Sequence, residues 1–541
     1  MPRDFSPERS ISIVSAVLFG LAARWTVRNI RRERIRKARS GWAIYYPGED
    51  DDDDNDDGSS SSNNAGAARV SRRCRNALSP ATPYLASFLR GLAYACSPDD
   101  APDGYVLLCM AENKLLIDLL SQRLQTPSTT VAAFSNPMVY CYNSFLGLPV
   151  ARQAVSYFLA NRFLYAPAES GSGAGEGRHF RGPSPIMAGT TAGTARVSLP
   201  QALQSINPAH IGIGSGAAGI LNALFFLLGD EGDACLIPAP YYAAFESDLR
   251  IVARVVPFAV HMADPASGPS ASELDLAFIE AKSQRLNPRF LLITNPNNPL
   301  GVVYSSTIMR NAVAWARKRK VHTIVDEIYA LSTHRRHGHG FESIISILDN
   351  RLGNDVHFVW SVSKDFGASG LRFGVVYSQN ETLLEGLANL NVFSGVSNPI
   401  QMVVSELLTD DDFLDTYLDE SRARLRRSYH ICIEKLEEMV LPFVPAVAGQ
   451  FVYVDFSSLL PQKTTEWEQK LSALLIDHAR LVLTPGESQR ERTPGMFRIC
   501  YAWVTPEVLE IGMERLSRIV AKIRRMDWSD LNESTLSGVI I

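Results

Sequence analysis

One lysine in this chain stands where a lysine can do covalent chemistry. The stretch Ser361-Val362-Ser363-Lys364-Asp365-Phe366-Gly367-Ala368-Ser369-Gly370-Leu371-Arg372-Phe373-Gly374 follows an apolar run at 356–360 that predicts a buried strand. An amine at such a strand end can form a Schiff base once its surroundings lower its pKa. Arg372, in the same glycine-punctuated loop, can hold a phosphate with paired hydrogen bonds, and Ser361 and the turn add donors. A covalent lysine and an anion clamp in one loop suit pyridoxal phosphate (PLP). An exposed lysine in a Ser/Gly loop fits the same residues, so other positions have to decide.

Gly214-Ser215-Gly216-Ala217-Ala218-Gly219 opens an apolar helix at 220–228. Its glycine spacing matches the dinucleotide fingerprint, but the next strand ends Ile237-Pro238-Ala239-Pro240, without the acid that a ribose requires. The amides and Ser215 at this helix start favour some other phosphate; close helix–sheet packing through glycine is the plain alternative. Asn295-Pro296-Asn297-Asn298-Pro299-Leu300-Gly301 follows a strand and has turn chemistry. The Asn298 amide can also meet the phenolic oxygen of PLP, and Tyr329 can share it. Asp326, at the end of the next strand, either caps a helix or pairs with a protonated pyridine nitrogen and keeps the ring an electron sink. Tyr242 offers a ring to stack on the cofactor, or a core aromatic. Arg498 lies within an apolar strand, and a buried guanidinium needs an anion. That anion is an internal carboxylate or the α-carboxylate of a substrate. His334, His337 and His339 with Arg335 and Arg336 predict a solvated basic loop and no metal site.

These positions need elements to hold them. From Ile211 onward the pattern alternates strand and helix. Strands are predicted at 235–237, 290–294, 323–325, 356–360 and 375–377, with a helix at 305–318 among those between them. Apolar strands in such alternation predict an α/β fold with a mostly parallel, buried sheet. A helical, charged region runs from Pro399 to about Met439. Strands at 451–456 and 497–501 then predict a smaller α/β lobe.

The 541 residues exceed one minimal core, and a net charge of −4 gives no basic excess for nucleic acid. Seven scattered cysteines without a CxxC argue against a disulfide framework and for a reducing compartment, with the cytoplasm as the default. Residues 1–40 form a basic arm. Its apolar segment at 11–23 is short for a span, which takes about 17–25 residues. The basic flank up to Arg39 leaves three readings open: a weak membrane tether through 11–39 with a cytosolic catalytic body, a mitochondrial presequence, or a surface helix. Residues 41–80 are an acidic, Ser-rich linker expected to be disordered. Residues 166–194 read as an inserted loop, and 527–541 as a tail.

Taken together, these residues resemble the fold-type-I, PLP-dependent class I/II aminotransferases and, within them, 1-aminocyclopropane-1-carboxylate (ACC) synthase-like proteins. The likeness runs from about Met110 to Tyr501. It rests on MAENKL, YNSFLGLPVARQAV, PAPYYAAFESDLR, TNPNNPLG, DEIY, SVSKDFGASGLRFG and FRICYA, in family order. It implies a catalytic body at 81–526, with a large domain at about 195–398 built on a mostly parallel seven-stranded sheet. The small α/β domain would come from 81–165 and 400–526. By position, the resemblance implies that Lys364 is the Schiff-base lysine and moves the proton at the substrate α-carbon. Asp326 would face the pyridine nitrogen, Asn298 and Tyr329 the phenolic oxygen, and Ser215, Gly216, Ser361 and Arg372 the phosphate. Tyr242 would stack on the ring, Arg498 would take the α-carboxylate, and Glu112 would lie near the substrate side chain. A homodimer with the site across its interface is also implied. One position departs: where the family carries a tyrosine that reaches the partner's cofactor, this chain reads Phe145-Leu146-Gly147. The implied activity is an aminotransferase acting on an α-amino acid through an α-carbanion. A carbon–sulfur lyase or an ACC synthase is the alternative.

Overall fold

The computed structural model describes residues 84–164, 206–334 and 341–525, with isolated positions at 71, 73, 74, 77 and 528. The basic arm, the acidic linker, the 166–194 loop, His337, His339 and the tail lie outside the described residues, apart from those isolated positions.

Seven strands form the main sheet. They are β1 (Ile211–Ser215), β2 (Asp233–Ala239), β3 (Val256–His261), β4 (Asn287–Thr294), β5 (His322–Asp326), β6 (Val356–Ser361) and β7 (Phe373–Ser378). Their spatial order is β1-β7-β6-β5-β4-β2-β3. Only β7 runs antiparallel to its neighbours, β1 and β6; every other pair is parallel. The strands are apolar on both faces because both faces are covered: Phe290, Leu291, Leu292 and Ile293 on β4 are all fully buried. Strand β3 was not among the expected strands. Its sequence VPFAVH carries a proline, and only Pro257 and Val260 along it are buried, so it gives no continuous apolar run.

This order sends the C-terminal ends of β1, β2, β4, β5 and β6 to one edge of the sheet, where β7 begins. Ser215, Tyr242, Asn298, Asp326, Lys364 and Arg372 all follow or end strands at that edge. The helix expected from Ile220 starts earlier, at Gly216, and runs Gly216–Leu228, so the glycine turn belongs to its first residues. The helix expected at 305–318 is Ser306–Arg319, started by the Ser305 side chain, which accepts from Ile308 N at 3.3 Å.

A second sheet of four short strands is antiparallel, in the order Thr484–Pro485, Met496–Cys500, Phe451–Asp455, Phe443–Val444. It places Tyr453 directly opposite Arg498. The 28-residue helix Asp411–Glu438 joins the two cores. Its Leu414, Tyr417 and Leu418 pack with the main sheet, and its Leu425, Cys432 and Leu436 with the small one. The helix Pro149–Leu159 also packs with the main sheet, through Ala151, Val155 and Phe158. Among the described residues no helix is long and apolar enough to cross a membrane, and no cluster of residues could hold a metal ion.

His334 departs from the solvated loop expected for it. It is buried, its ring nitrogen Nε2 lies 2.8 Å from the Tyr501 hydroxyl, and its ring packs on Tyr429 at 4.7 Å. The apolar floor beneath the small sheet takes it in before the basic run begins.

Far from the edge that gathers these side chains, His322 and His357 lie side by side on β5 and β6. His322 Nδ1 is 3.2 Å from His357 Nε2, and His357 Nδ1 is 2.9 Å from Ser378 Oγ. Burial pushes His357 down to about 3. Unfolded, the same ring takes a proton below about pH 6.5. The fold therefore loses stability as the pH falls from there towards 3, by up to about 1.4 kcal/mol per pH unit for one such group. Urea denaturation at pH 7 and pH 5 should show His357→Asn gaining on the wild type at the lower pH. Parallel pH profiles would mean that His357 takes up its proton as readily in the fold as in the unfolded chain.

Candidate active site

Lys364 lies in the single helical turn Val362–Asp365 that follows β6. Ser361 starts the turn by accepting from Ser363 N at 3.1 Å. The neighbouring Asp365 is buried and accepts from Trp360 Nε1 at 2.9 Å and Ser332 Oγ at 2.7 Å, so the turn is bolted to β6 and to the segment after β5. Gln450 Nε2 donates to the Lys364 carbonyl at 2.9 Å. The Lys364 amine donates to the Ala111 carbonyl. Burial pushes this amine down to about 8; Glu112 works against that shift and the Arg498 charge works with it.

Asp326 ends β5 and is buried. Burial pushes its carboxyl up to about 7, opposed by the amide of Ile328, 3.3 Å from Oδ1, and by Lys364. No cation forms an ion pair with it among the described residues. A protonated ring nitrogen would supply that missing charge.

A neutral chain leads from there to a buried cation. Asn298 Nδ2 donates to the Tyr329 hydroxyl at 3.4 Å, and Arg498 Nη1 donates to Asn298 Oδ1 at 2.7 Å. Arg498 Nη2 donates to the Cys109 carbonyl at 2.6 Å and to Thr484 Oγ1 at 3.2 Å. The guanidinium lies 5.3 Å from the centre of the Phe451 ring. Arg498 is 1% exposed, yet among the described residues no carboxylate pairs with it, and its Nε has no partner. The internal ion pair open to it on sequence grounds is absent among the described residues, and its Nη atoms are met by neutral acceptors instead.

The phosphate-binding candidates converge on the start of the Gly216–Leu228 helix. Arg372 Nη2 donates to the Ser215 carbonyl at 3.1 Å, and a Cβ on Gly216 would stand 2.8 Å from that same nitrogen. Gly216 has φ +75°, so glycine is needed both for the turn and for the approach. Gly374, paired with Ser361 across β6 and β7, has room for no Cβ against the Gly216 backbone. Two expected hydroxyls are committed elsewhere: Ser215 donates to the Ser394 carbonyl, and Ser361 to the Phe373 carbonyl at 2.9 Å. Arg372 likewise donates to the Ser369 and Ser215 carbonyls, so all three side chains would have to turn to an incoming anion, alongside the helix-start amides.

Tyr242 is half-buried, edge-on to Phe245 at 5.3 Å. Burial raises its hydroxyl pKa, as do Asp248 and Asp326, while Arg498 lowers it, which puts its ring in this neighbourhood. Glu112 accepts from Ser369 Oγ, in the lysine loop. Phe145 is partly exposed beside Tyr142, ring centres 6.1 Å apart, and its carbonyl accepts from Asn391 at 2.8 Å. Ala111, Gln450 and Thr484 serve the site without having been anticipated. Asp365 was the one such residue with a signal, an acid next to the key lysine.

The profile of the family "Aminotransferase class I and II" matches residues 161–516. The chain belongs to this family. It is 30% identical over 453 residues to 1-aminocyclopropane-1-carboxylate synthase 1 of Oryza sativa subsp. indica, covering 80% of this chain and 85% of the rice protein. It is 29% identical over 430 residues to 1-aminocyclopropane-1-carboxylate synthase-like protein 1 of Bos taurus, covering 78% of this chain and 77% of the bovine protein. Among solved structures, the aspartate aminotransferase from Thermus thermophilus with maleate matches with a TM-score of 0.62 at 19% identity. It covers 84% of this chain and 100% of that one, and shows the shared fold. This ACC synthase-like member of the aminotransferase family therefore has the fold-type-I architecture, and the family's members depend on PLP.

The lowered lysine pKa has a direct consequence for this aminotransferase-family site. Moving the amine from about 10.5 to about 8 raises its neutral, nucleophilic fraction at pH 7.5 roughly two-hundredfold. Uptake of a pyridoxal aldehyde at Lys364, trapped with borohydride and mapped by mass spectrometry, should rise with pH and level off just above 8. A rate still climbing beyond pH 10 would show an ordinary surface amine.

Proposed function

We propose that the protein uses PLP to act on an α-amino acid and transfers the amino group to a keto acid. The observation that supports this reading is Arg498, a buried guanidinium bonded to Asn298, with no carboxylate partner among the described residues and near enough to Lys364 to lower its pKa. PLP, when bound, draws electrons away from the substrate α-carbon. Arg498 holds the substrate carboxylate with charge-assisted hydrogen bonds. Asp326 holds charge opposite the ring nitrogen, and Asn298 and Tyr329 hold the ring's oxygen. The Lys364 amine would take the proton from the substrate α-carbon and deliver it across the nitrogen to the cofactor's aldehyde carbon. Transfer asks for no other proton carrier. Ring closure in this family is associated with a tyrosine that this chain replaces by Phe145, which favours transfer.

A second reading, carbon–sulfur bond cleavage or ACC formation, draws on Glu112. Its carboxylate is tied to Ser369 beside Lys364 and suits a cationic substrate side chain. Product analysis separates the two. A keto acid with stoichiometric amino transfer supports the first; pyruvate or ammonia with a thiol, or ACC, supports the second. Arg498→Gln should raise KM for the amino acid by roughly ten- to a hundredfold, the size of a lost charged hydrogen-bond pair. An unchanged KM would remove Arg498 from the substrate site.

The same proposal includes a homodimer. Tyr142 and Phe393 are 93% and 88% exposed, and Tyr140 and Met138 also face outward. Asn391, on the helix of Phe393, bonds the Phe145 carbonyl, and Asn398 bonds the Cys141 carbonyl, so these residues form one apolar surface beside the phosphate end of the site. Sedimentation should give a dimer for the wild type and a monomer for Phe393→Glu. A monomeric wild type would sink this part. All seven cysteines are free, which supports a reducing compartment such as the cytoplasm.

A further inference from the structure

The loop between Thr484–Pro485 and Met496–Cys500 is clamped from both lobes. On the small-lobe side, the buried Glu468 carboxylate accepts from Glu487 N at 2.9 Å and Gly495 N at 2.7 Å. On the large-lobe side, the clamp is the segment that carries Tyr242. Tyr241 N donates to the Gln489 carbonyl at 2.9 Å. The Tyr241 hydroxyl donates to Glu246 Oε1 at 2.7 Å, and Arg490 Nε donates to that same oxygen at 2.8 Å. Arg250 Nε takes the other carboxylate oxygen at 3.2 Å. Arg490 has φ +58°, a conformation that a non-glycine residue keeps only where its surroundings impose it. The Glu246 side chain is 13% exposed and that of Arg490 50%, so the pair is shielded on one side only. It is stronger than a free surface pair and weaker than a buried one.

We infer that Glu246 is a positioning residue: it locks the 486–495 loop onto Tyr241, so that the strand bearing Arg498 and the ring of Tyr242 move as one body. A carboxylate settling on Arg498 then also sets the tilt of the Tyr242 ring. The tasks given to Arg498 and Tyr242 rest on the function proposed above; the mechanical link between them does not.

The test uses Arg490→Gln and Glu246→Gln, singly and together, in the full-length protein. Without added cofactor, hydrogen exchange in residues 238–245 should speed up about three- to tenfold in each single variant. The double variant should match Glu246→Gln instead of multiplying the two effects, because the bond that Arg490→Gln removes is already weakened in Glu246→Gln, which also touches Tyr241 and Arg250. With PLP added, KM for the amino acid should rise while kcat stays within about twofold, and Arg490→Lys should recover part of the loss. Unchanged exchange, multiplied effects in the double variant, or a fall confined to kcat would overturn the inference. A wild type that takes up no PLP would overturn the proposed function instead, and the exchange data would still decide the link.

Discussion

The amine of Lys364 is taken out of water without a carboxylate bonded to it. A lysine in water stays protonated at neutral pH; this one is held near the point where it is both a base and a nucleophile. Keeping it so requires that the nearest acids do not rescue its charge. Glu112 is tied to Ser369 by a hydrogen bond. Asp326, itself pushed up towards 7 by burial, exerts only part of a full negative charge near neutrality. Arg498 adds a fixed positive charge that works in the same direction as burial.

Such an arrangement needs rigid supports, and the sheet supplies them. Parallel strands deliver the ends of β4, β5 and β6 to one edge. The acids next to the chemical residues tie that edge together. Glu327, beside Asp326, is fully buried and accepts from Ile344 N at 2.6 Å, with its pKa pushed up to about 8 by burial. Asp365, beside Lys364, gathers Trp360, Ser332 and Leu331 N. Each of these carboxyls is costly to bury and is held by hydrogen bonds that fix a loop. The continuous apolar packing of β4 to β7 on both faces offsets that cost.

Much of the site was legible because its chemistry requires rare residue types at strand ends. A lysine after a strand, an acid ending the next and an arginine inside a third are visible without coordinates. The main sheet was legible for a related reason: buried parallel strands are unbroken apolar runs. The parts that escaped depend on contacts distant in sequence. Strand β3 pairs only with β2, at the sheet's rim, and its proline hides it. His334 looked solvated because two arginines follow it, but the Tyr429 and Tyr501 rings that enclose it lie far along the chain. The Ser215 and Ser361 hydroxyls donate to the Ser394 and Phe373 carbonyls, contacts that no local pattern announces. No local pattern marks Gln450, whose amide reaches the lysine turn from the small lobe.

The remaining question is why Asp326 and Arg498, two buried and opposite charges in one pocket, do not neutralise each other. An ion pair between them would relieve the desolvation of both. Arg498 is satisfied by neutral groups instead: Asn298 accepts from it through the amide oxygen and donates in turn to the Tyr329 hydroxyl. Asp326 accepts from the Ile328 amide and has no cation paired with it among the described residues. On the function proposed above, Asp326 would meet the cationic ring nitrogen and Arg498 the substrate carboxylate. Replacing Asn298 by an acid would undo this at Arg498, because the new carboxylate would pair with it and leave no place there for a substrate's.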